Sequence, residues 1–187
     1  MRIITGIFKG RKILKPLDIS TRPLKDLTKE SIFNIIQHSN KFNINLENSY
    51  ILDLFSGVGS FGIECLSRGS KFVIFVENYK GVLPVLNKNL KNLQLTKNYL
   101  IIEKDIMNNF NFNSLNHKFD IIFLDPPFKD EGLSIIIDKI FNSKVLKDNG
   151  ILILHRNFKS NDALSKNFNV LEKKKYGLSK IIFGNFN

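Results

Sequence analysis

Short runs of Ile, Val, Leu and Phe recur through the middle of the chain, each followed by a stretch with helical spacing. Residues 50–55 (YILDLF), 71–76 (KFVIFV), 99–103 (YLIIE), 119–124 (FDIIFL) and 150–154 (GILIL) are apolar almost without interruption. Strands of a parallel sheet covered on both faces have this character. Between them, residues 60–68 set Phe61, Ile63, Cys65 and Leu66 among polar neighbours. A second helical stretch, reaching to about Leu93, carries Val82, Val85, Leu86 and Leu90 on one side. Pro84 falls early in it, where a missing N–H is tolerated. Residues 131–141 predict a third helix. Residues 168–173 and 178–183, around Tyr176-Gly177, predict a closing pair of strands. The alternation predicts an α/β fold with a mostly parallel, doubly wound sheet.

The start of the chain has a different texture. Residues 2–6 and 11–14 flank Phe8-Lys9-Gly10 and predict a small hairpin. Thr21-Arg22-Pro23 leads into a helix over about 25–38, in which Leu24, Leu27, Ile32, Phe33, Ile35 and Ile36 are expected to face the core. A polar connection over 40–49 follows. The expected organisation is a basic hairpin-and-helix extension at 1–41 on a main domain at 42–187.

Composition narrows the class. At 187 residues the chain is of single-domain length. The one cysteine, Cys65, excludes a disulfide framework and a Cys-based zinc site, and its setting predicts a small buried apolar residue. His38, His117 and His155 are scattered without ligand spacing, so no metal is expected. No apolar run approaches the ~20 residues of a membrane span. The opening MRIITGIFKGRK lacks the apolar stretch of a signal peptide, so a cytoplasmic protein, monomeric by default, is expected.

The net charge of +11 is unevenly placed. Residues 1–41 carry nine Lys/Arg against three acids, residues 42–154 twelve of each, and residues 155–187 seven against two. Two basic flanks around a balanced centre suit a polyanion such as nucleic acid, with the centre free for chemistry. Lys173-Lys174-Lys175 is read as a solvated or RNA-facing run.

The candidate chemistry lies at the strand ends. In Asp53-Leu54-Phe55-Ser56-Gly57-Val58-Gly59-Ser60-Phe61-Gly62 a strand feeds a glycine turn and then a helix, fitting G-x-G-x-x-G. Glu77 follows Gly57 by twenty residues and closes the second strand, where a carboxylate accepts from ribose hydroxyls. These features fit a nicotinamide dinucleotide and S-adenosylmethionine (SAM) alike. Asp53 would repel a pyrophosphate but attract an ammonium or sulfonium, and Asp105, after the third strand, could accept from an adenine amine. Asp125-Pro126-Pro127-Phe128 follows the fourth strand, and two prolines force the chain out at the sheet's carboxyl edge. The Asp125 carboxylate and the Pro126 carbonyl suit the two protons of an exocyclic amine, while the Phe128 ring suits stacking on its base.

These motifs resemble those of class I SAM-dependent methyltransferases with a Rossmann-like fold. More narrowly, the chain resembles the RsmD-type family that methylates guanine N2 in small-subunit (16S) rRNA. The narrower resemblance rests on Arg2-Ile3-Ile4, Gly6, Lys9-Gly10-Arg11-Lys12, Thr21-Arg22-Pro23, residues 29–36 (KESIFNII), Asp53 to Gly57, residues 123–128 (FLDPPF) and Tyr176-Gly177. It implies SAM contacts from Asp53, Gly57, Glu77 and Asp105, with Phe55, Ser56, Gly59 and Asp125 counted among the cofactor-binding set. It implies a catalytic target-amine site at Asp125, Pro126 and Phe128, and RNA contacts from Arg2, Lys9, Arg11, Lys12 and Arg22. His155-Arg156 depart from the pattern, which commonly has an acid after the last strand of the core. A DNA adenine-N6 methyltransferase is the alternative, because Asp-Pro-Pro-aromatic grips any planar exocyclic amine. An NAD-dependent oxidoreductase leaves residues 125–128 without a role.

Overall fold

Along each central strand the side chains alternate between two faces, so an unbroken apolar run makes two apolar surfaces and calls for a layer on each. The computed structural model, which describes residues 1–16, 24–108, 110–127 and 132–186, has this architecture. In chain order the elements are α1 (Asp26–His38), β1 (Tyr50–Leu54), α2 (Ser60–Ser67), β2 (Phe72–Glu77), α3 (Leu83–Asn92) and β3 (Tyr99–Glu103). A 3-10 turn (Phe112–Ser114) precedes β4 (Phe119–Leu124), α4 (Leu133–Ser143), β5 (Leu146–Asn157), β6 (Phe168–Tyr176) and β7 (Ser179–Phe186).

The seven strands form one sheet in the order β3-β2-β1-β4-β5-β7-β6. β1 to β5 are parallel, and β7 runs antiparallel to both β5 and β6. Ile51, Phe75, Phe123 and Ile153 point to one face, where they meet α1, α2 and α3. Leu52, Val76, Leu124 and Leu154 point to the other, where they meet α4 and the 3-10 turn. The doubly wound α/β reading and the element order are thus those of the molecule.

Several expectations need correction in detail. Leu27 does not face the core: it is 79% exposed. The buried stripe of α1 is Thr28, Lys29, Ile32, Phe33 and Ile36, and at 100° per residue Leu27 falls opposite its centre. The N-terminal hairpin is reduced to one antiparallel bridge, Arg2 with Lys12. Its loop docks on α2 instead of extending a ladder. The Glu64 carboxylate accepts from the Ile4 and Thr5 amides at 2.8 and 2.9 Å, and the Ile7 amide donates to the Ser67 carbonyl at 2.8 Å. Gly6, at φ 88°, sits so close that a Cβ there would lie 1.8 Å from that carbonyl oxygen. Beneath the loop the wholly buried Lys29 donates to the Arg2 carbonyl at 2.8 Å and lies 3.4 Å from Glu64.

The last core strand is longer than its apolar run, twelve residues against the five of GILIL. β7 sets the three residues past the run by pairing on to Asn157, and at the other end Leu146 pairs with Phe119 of β4. The helix expected over 131–141 begins at Leu133, and its first expected residue, Glu131, lies outside the described residues.

Candidate active site

In this sheet the chain winds outward from β1 through β2 to β3, then returns to place β4 on the other side of β1. The carboxyl edge between β1 and β4 is therefore the switch point at which open α/β sheets take ligands. A cleft of about 1080 Å³ opens there. Its floor is aromatic: Phe61 stacks on Phe123 with centroids 4.1 Å apart, and Phe33 stacks behind Phe61 at 5.2 Å.

The glycine turn is tightly built. Phe55, at φ 58°, and Gly57, at φ 54°, bend the chain back over the sheet edge, and the Ser56 amide donates to the Val76 carbonyl. Glu77 crosses from β2 and accepts from the Gly57 amide at 2.8 Å. Its other oxygen accepts from the Asn78 and Tyr79 amides, each at 2.9 Å. The twenty-residue spacing is thus a direct contact, and Glu77 is a buried acid, not an exposed one. Phe55, Ser56, Gly57 and Glu77 all line the cleft. Gly59 does not: it precedes α2 at φ 82°, and a Cβ there would lie 2.5 Å from Leu86 Cδ1. Its smallness serves helix packing.

Asp53 lines the cleft, is 1% exposed and accepts from the Gly62 amide at 2.9 Å. Burial pushes its carboxyl well above the usual carboxylate range. The Gly62 amide opposes the rise, and the charges of Asp125 and Glu77 add to it. Ser56 Oγ is the one buried side-chain polar atom without a hydrogen-bond partner among the described residues. Asp105 sits at the rim, where Oδ2 accepts from the Asn108 side chain at 2.9 Å and Oδ1 from the Met107 amide at 2.8 Å. The Asn108 bond leads in holding its carboxyl below the usual range, against a smaller opposing effect of burial.

At the end of β4 the Asp125 amide donates to the Leu54 carbonyl, and Asp125 Oδ1 lies 2.8 Å from His155 Nδ1. Arg156 Nη1 donates to the carbonyls of Pro126 and Pro127 at 3.2 and 3.0 Å. The Pro126 carbonyl, expected as an acceptor for a substrate amine, therefore already holds one bond and has one lone pair left. Arg156 is 1% exposed and is itself held by Asp162. Phe128 and Arg22 lie outside the described residues. Arg2, Lys9, Arg11 and Lys12 are exposed on the N-terminal loop, away from the cleft lining.

Sequence reasoning missed His155, Arg156 and Ser179 as groups of this edge. The signal was present: both ring- and guanidinium-bearing residues directly follow the last apolar strand, whose carboxyl end must lie at the switch edge. Among the described residues no group of three or more His, Cys, Asp or Glu side chains could hold a metal ion. No helix is long and apolar enough to cross a membrane.

Comparison with known proteins agrees with this geometry. A Bacillus subtilis protein named "Putative rRNA methyltransferase YlbH" is 36% identical over 154 residues, covering 82% of this chain and 80% of its own. The Haemophilus influenzae protein named "Ribosomal RNA small subunit methyltransferase D" is 30% identical over 183 residues, covering 95% and 90%. Among solved structures, the Escherichia coli one described as "Putative methyltransferase yhhF" superposes with a TM-score of 0.81 at 25% identity, covering 100% of this chain and 98% of that one. The family model described as "Conserved hypothetical protein 95" matches residues 1–185. The motifs, the cleft they build and the match along almost the entire length lead to one placement: the chain belongs to this family, that of the RsmD-type methyltransferases.

Proposed function

We propose that this chain moves the methyl group of SAM to the exocyclic N2 of a guanine in small-subunit (16S) rRNA, carried in the assembled subunit in the cytoplasm. The observation that carries the reading is the Asp125-Pro126-Pro127 turn in the same cleft as Asp53, Ser56 and Glu77. The residues present fit SAM. Ser56 Oγ is a buried polar atom in want of a partner. Burial keeps the Asp53 carboxyl reluctant to ionise, a cost that a cationic ligand offsets. Among the described residues no cation pairs with Asp53 or Glu77. Asp53 would face the cationic end, Glu77 the ribose, and Asp105 the adenine.

When bound, SAM supplies a methyl carbon on a positively charged sulfur, which departs as a neutral thioether. The chain's own groups prepare the other partner. Asp125 and the free lone pair on the Pro126 carbonyl oxygen accept the two N–H protons of the guanine amine. Gripped this way, the nitrogen can rehybridise and aim its lone pair at the methyl carbon. The Asp125 charge is in place before the nitrogen becomes positive, so little reorganisation is needed. The amine then loses a proton, for which Asp125 is the acceptor at hand. The exposed Arg2, Lys9, Arg11 and Lys12, with Arg22, would pair with rRNA phosphates. Similarity to relatives named as rRNA methyltransferases supports the RNA substrate over DNA.

The test is transfer of labelled methyl from SAM to unmethylated small subunits, naked small-subunit rRNA and duplex DNA, with digested products identified by mass. N2-methylguanine in the subunits is expected, and Asp125→Ala is expected to lower the rate about 10²–10³-fold with SAM still bound. N6-methyladenine in DNA would overturn the substrate, and failure of the wild type to bind SAM would overturn the whole reading.

A further inference from the structure

His155 stands at the centre of the reacting edge. Leu124 and Leu154 are paired in register, so the next residues of these parallel strands, Asp125 and His155, emerge side by side. His155 is 7% exposed. Its Nδ1 is 2.8 Å from Asp125 Oδ1, and its Nε2 is 2.9 Å from Ser179 Oγ at the start of β7. The ring is thus tied at both nitrogens to the strands on either side of its own.

Charge sets the direction of these bonds. An ionised carboxylate can only accept, so Nδ1 carries the hydrogen shared with Asp125. With Nδ1 protonated, a neutral ring would present a bare Nε2 as acceptor for the Ser179 hydroxyl. One oxygen of Asp125 is taken up by this bond, and no described residue bonds Oδ2, the oxygen left for a ligand.

We propose that His155 is the positioning residue of Asp125: its Nδ1–H pins Oδ1 and so turns Oδ2 toward the acceptor amine, while Ser179 keeps the ring in the required tautomer. This rests on the methyl-transfer reading above. An Asp side chain has a broad, two-fold final torsion, so an untethered carboxylate would present either oxygen at a range of angles. Reacting groups lose about 10²-fold in rate for a misplacement of about 1 Å. His155 therefore governs turnover while leaving SAM and subunit binding alone.

The experiment compares wild type with His155→Phe, His155→Asn and Ser179→Ala in steady-state methylation of unmethylated small subunits, with SAM affinity measured by calorimetry. His155→Phe keeps a ring and loses both bonds, and kcat is expected to fall about 10- to 100-fold with KM and SAM affinity within about threefold. His155→Asn places an amide N–H where Nδ1 stood and is expected to recover most of kcat. Ser179→Ala, which keeps the imidazole and covers the case of a misfolded Phe variant, is expected to lose kcat a few-fold at unchanged KM. A wild-type kcat in His155→Phe or Ser179→Ala overturns the proposal, as does an Asn variant no better than Phe or a parallel loss of SAM affinity. A wild type that methylates no guanine instead removes the reading on which the proposal rests.

Discussion

Arg156 is the side chain on which the Asp125-Pro126-Pro127 turn hangs. It spans from the Pro126 and Pro127 carbonyls to Asp162, whose second oxygen takes Ser160 Oγ at 2.6 Å and lies 3.2 Å from Lys180 Nζ. Burial alone would raise the Asp162 carboxyl. The hydrogen bonds from Arg156 and Ser160, the Arg156 charge and Lys180 outweigh it and hold the pKa at about 2 instead of 3.8. A depressed folded-state pKa means stability fully present above the unfolded value and lost as pH falls from 3.8 towards 2. The amount is about 2 kcal/mol. The stability gap between wild type and Asp162→Asn, measured by urea unfolding, is expected to narrow by about that much between neutral pH and about pH 2; an unchanged gap would refute this origin. At this scale the sequence is unevenly legible. The Gly57–Glu77 contact is written in a spacing, because strand and turn lengths in a βαβ unit are nearly fixed. The duties of Arg156 and Ser179 are not, because a buried Arg and an exposed one look alike until the loop carrying Asp162 is seen to fold back.

Elements here are held at short range by what their side chains lack. Gly62 lies in the first turn of α2, and a Cβ on it would sit 2.3 Å from the Phe75 ring of β2. Gly62→Ala must push α2 off the sheet, a strain of about 1–3 kcal/mol, and a fall in melting temperature of roughly 2–10 °C is expected in a scanning melt. A melting temperature equal to that of wild type would show that the helix yields without cost. The buried strand β4 ends where its apolar run ends, since burial sets its limit. β5 runs past its apolar run because pairing with β7 keeps polar residues extended: the buried His155 and Arg156 and the half-buried Asn157 pair with Ile181, Lys180 and Ser179. The N-terminal hairpin predicted from the sequence forms only around Arg2 and Lys12, for the opposite reason. Residues that could pair with each other find better partners in Glu64 and Ser67 on α2.

Across the whole molecule, the two basic flanks of the sequence become neighbours. Lys41, just after α1, forms an ion pair with Glu172 of β6, beside the exposed Lys173, Lys174 and Lys175. If the N-terminal loop contacts rRNA phosphates, Lys9→Ala, Arg11→Ala and Lys12→Ala together should lower the slope of log affinity against log salt by about 2–3. Subunit binding titrated over a salt series measures it, and an unchanged slope would move the contact elsewhere. The Arg156 cluster bears on how such a chain can change over generations. Two buried cations share one buried carboxylate, so loss of Asp162 alone strands both charges, at a cost of about 3–5 kcal/mol, whereas loss of Lys180 alone leaves Arg156 and Asp162 paired. Position 162 is thus the one that cannot drift alone: a lineage that lost its carboxylate must have crossed through a weakened intermediate or replaced the cations at 156 and 180 with it, whereas position 180 is open to single exchange.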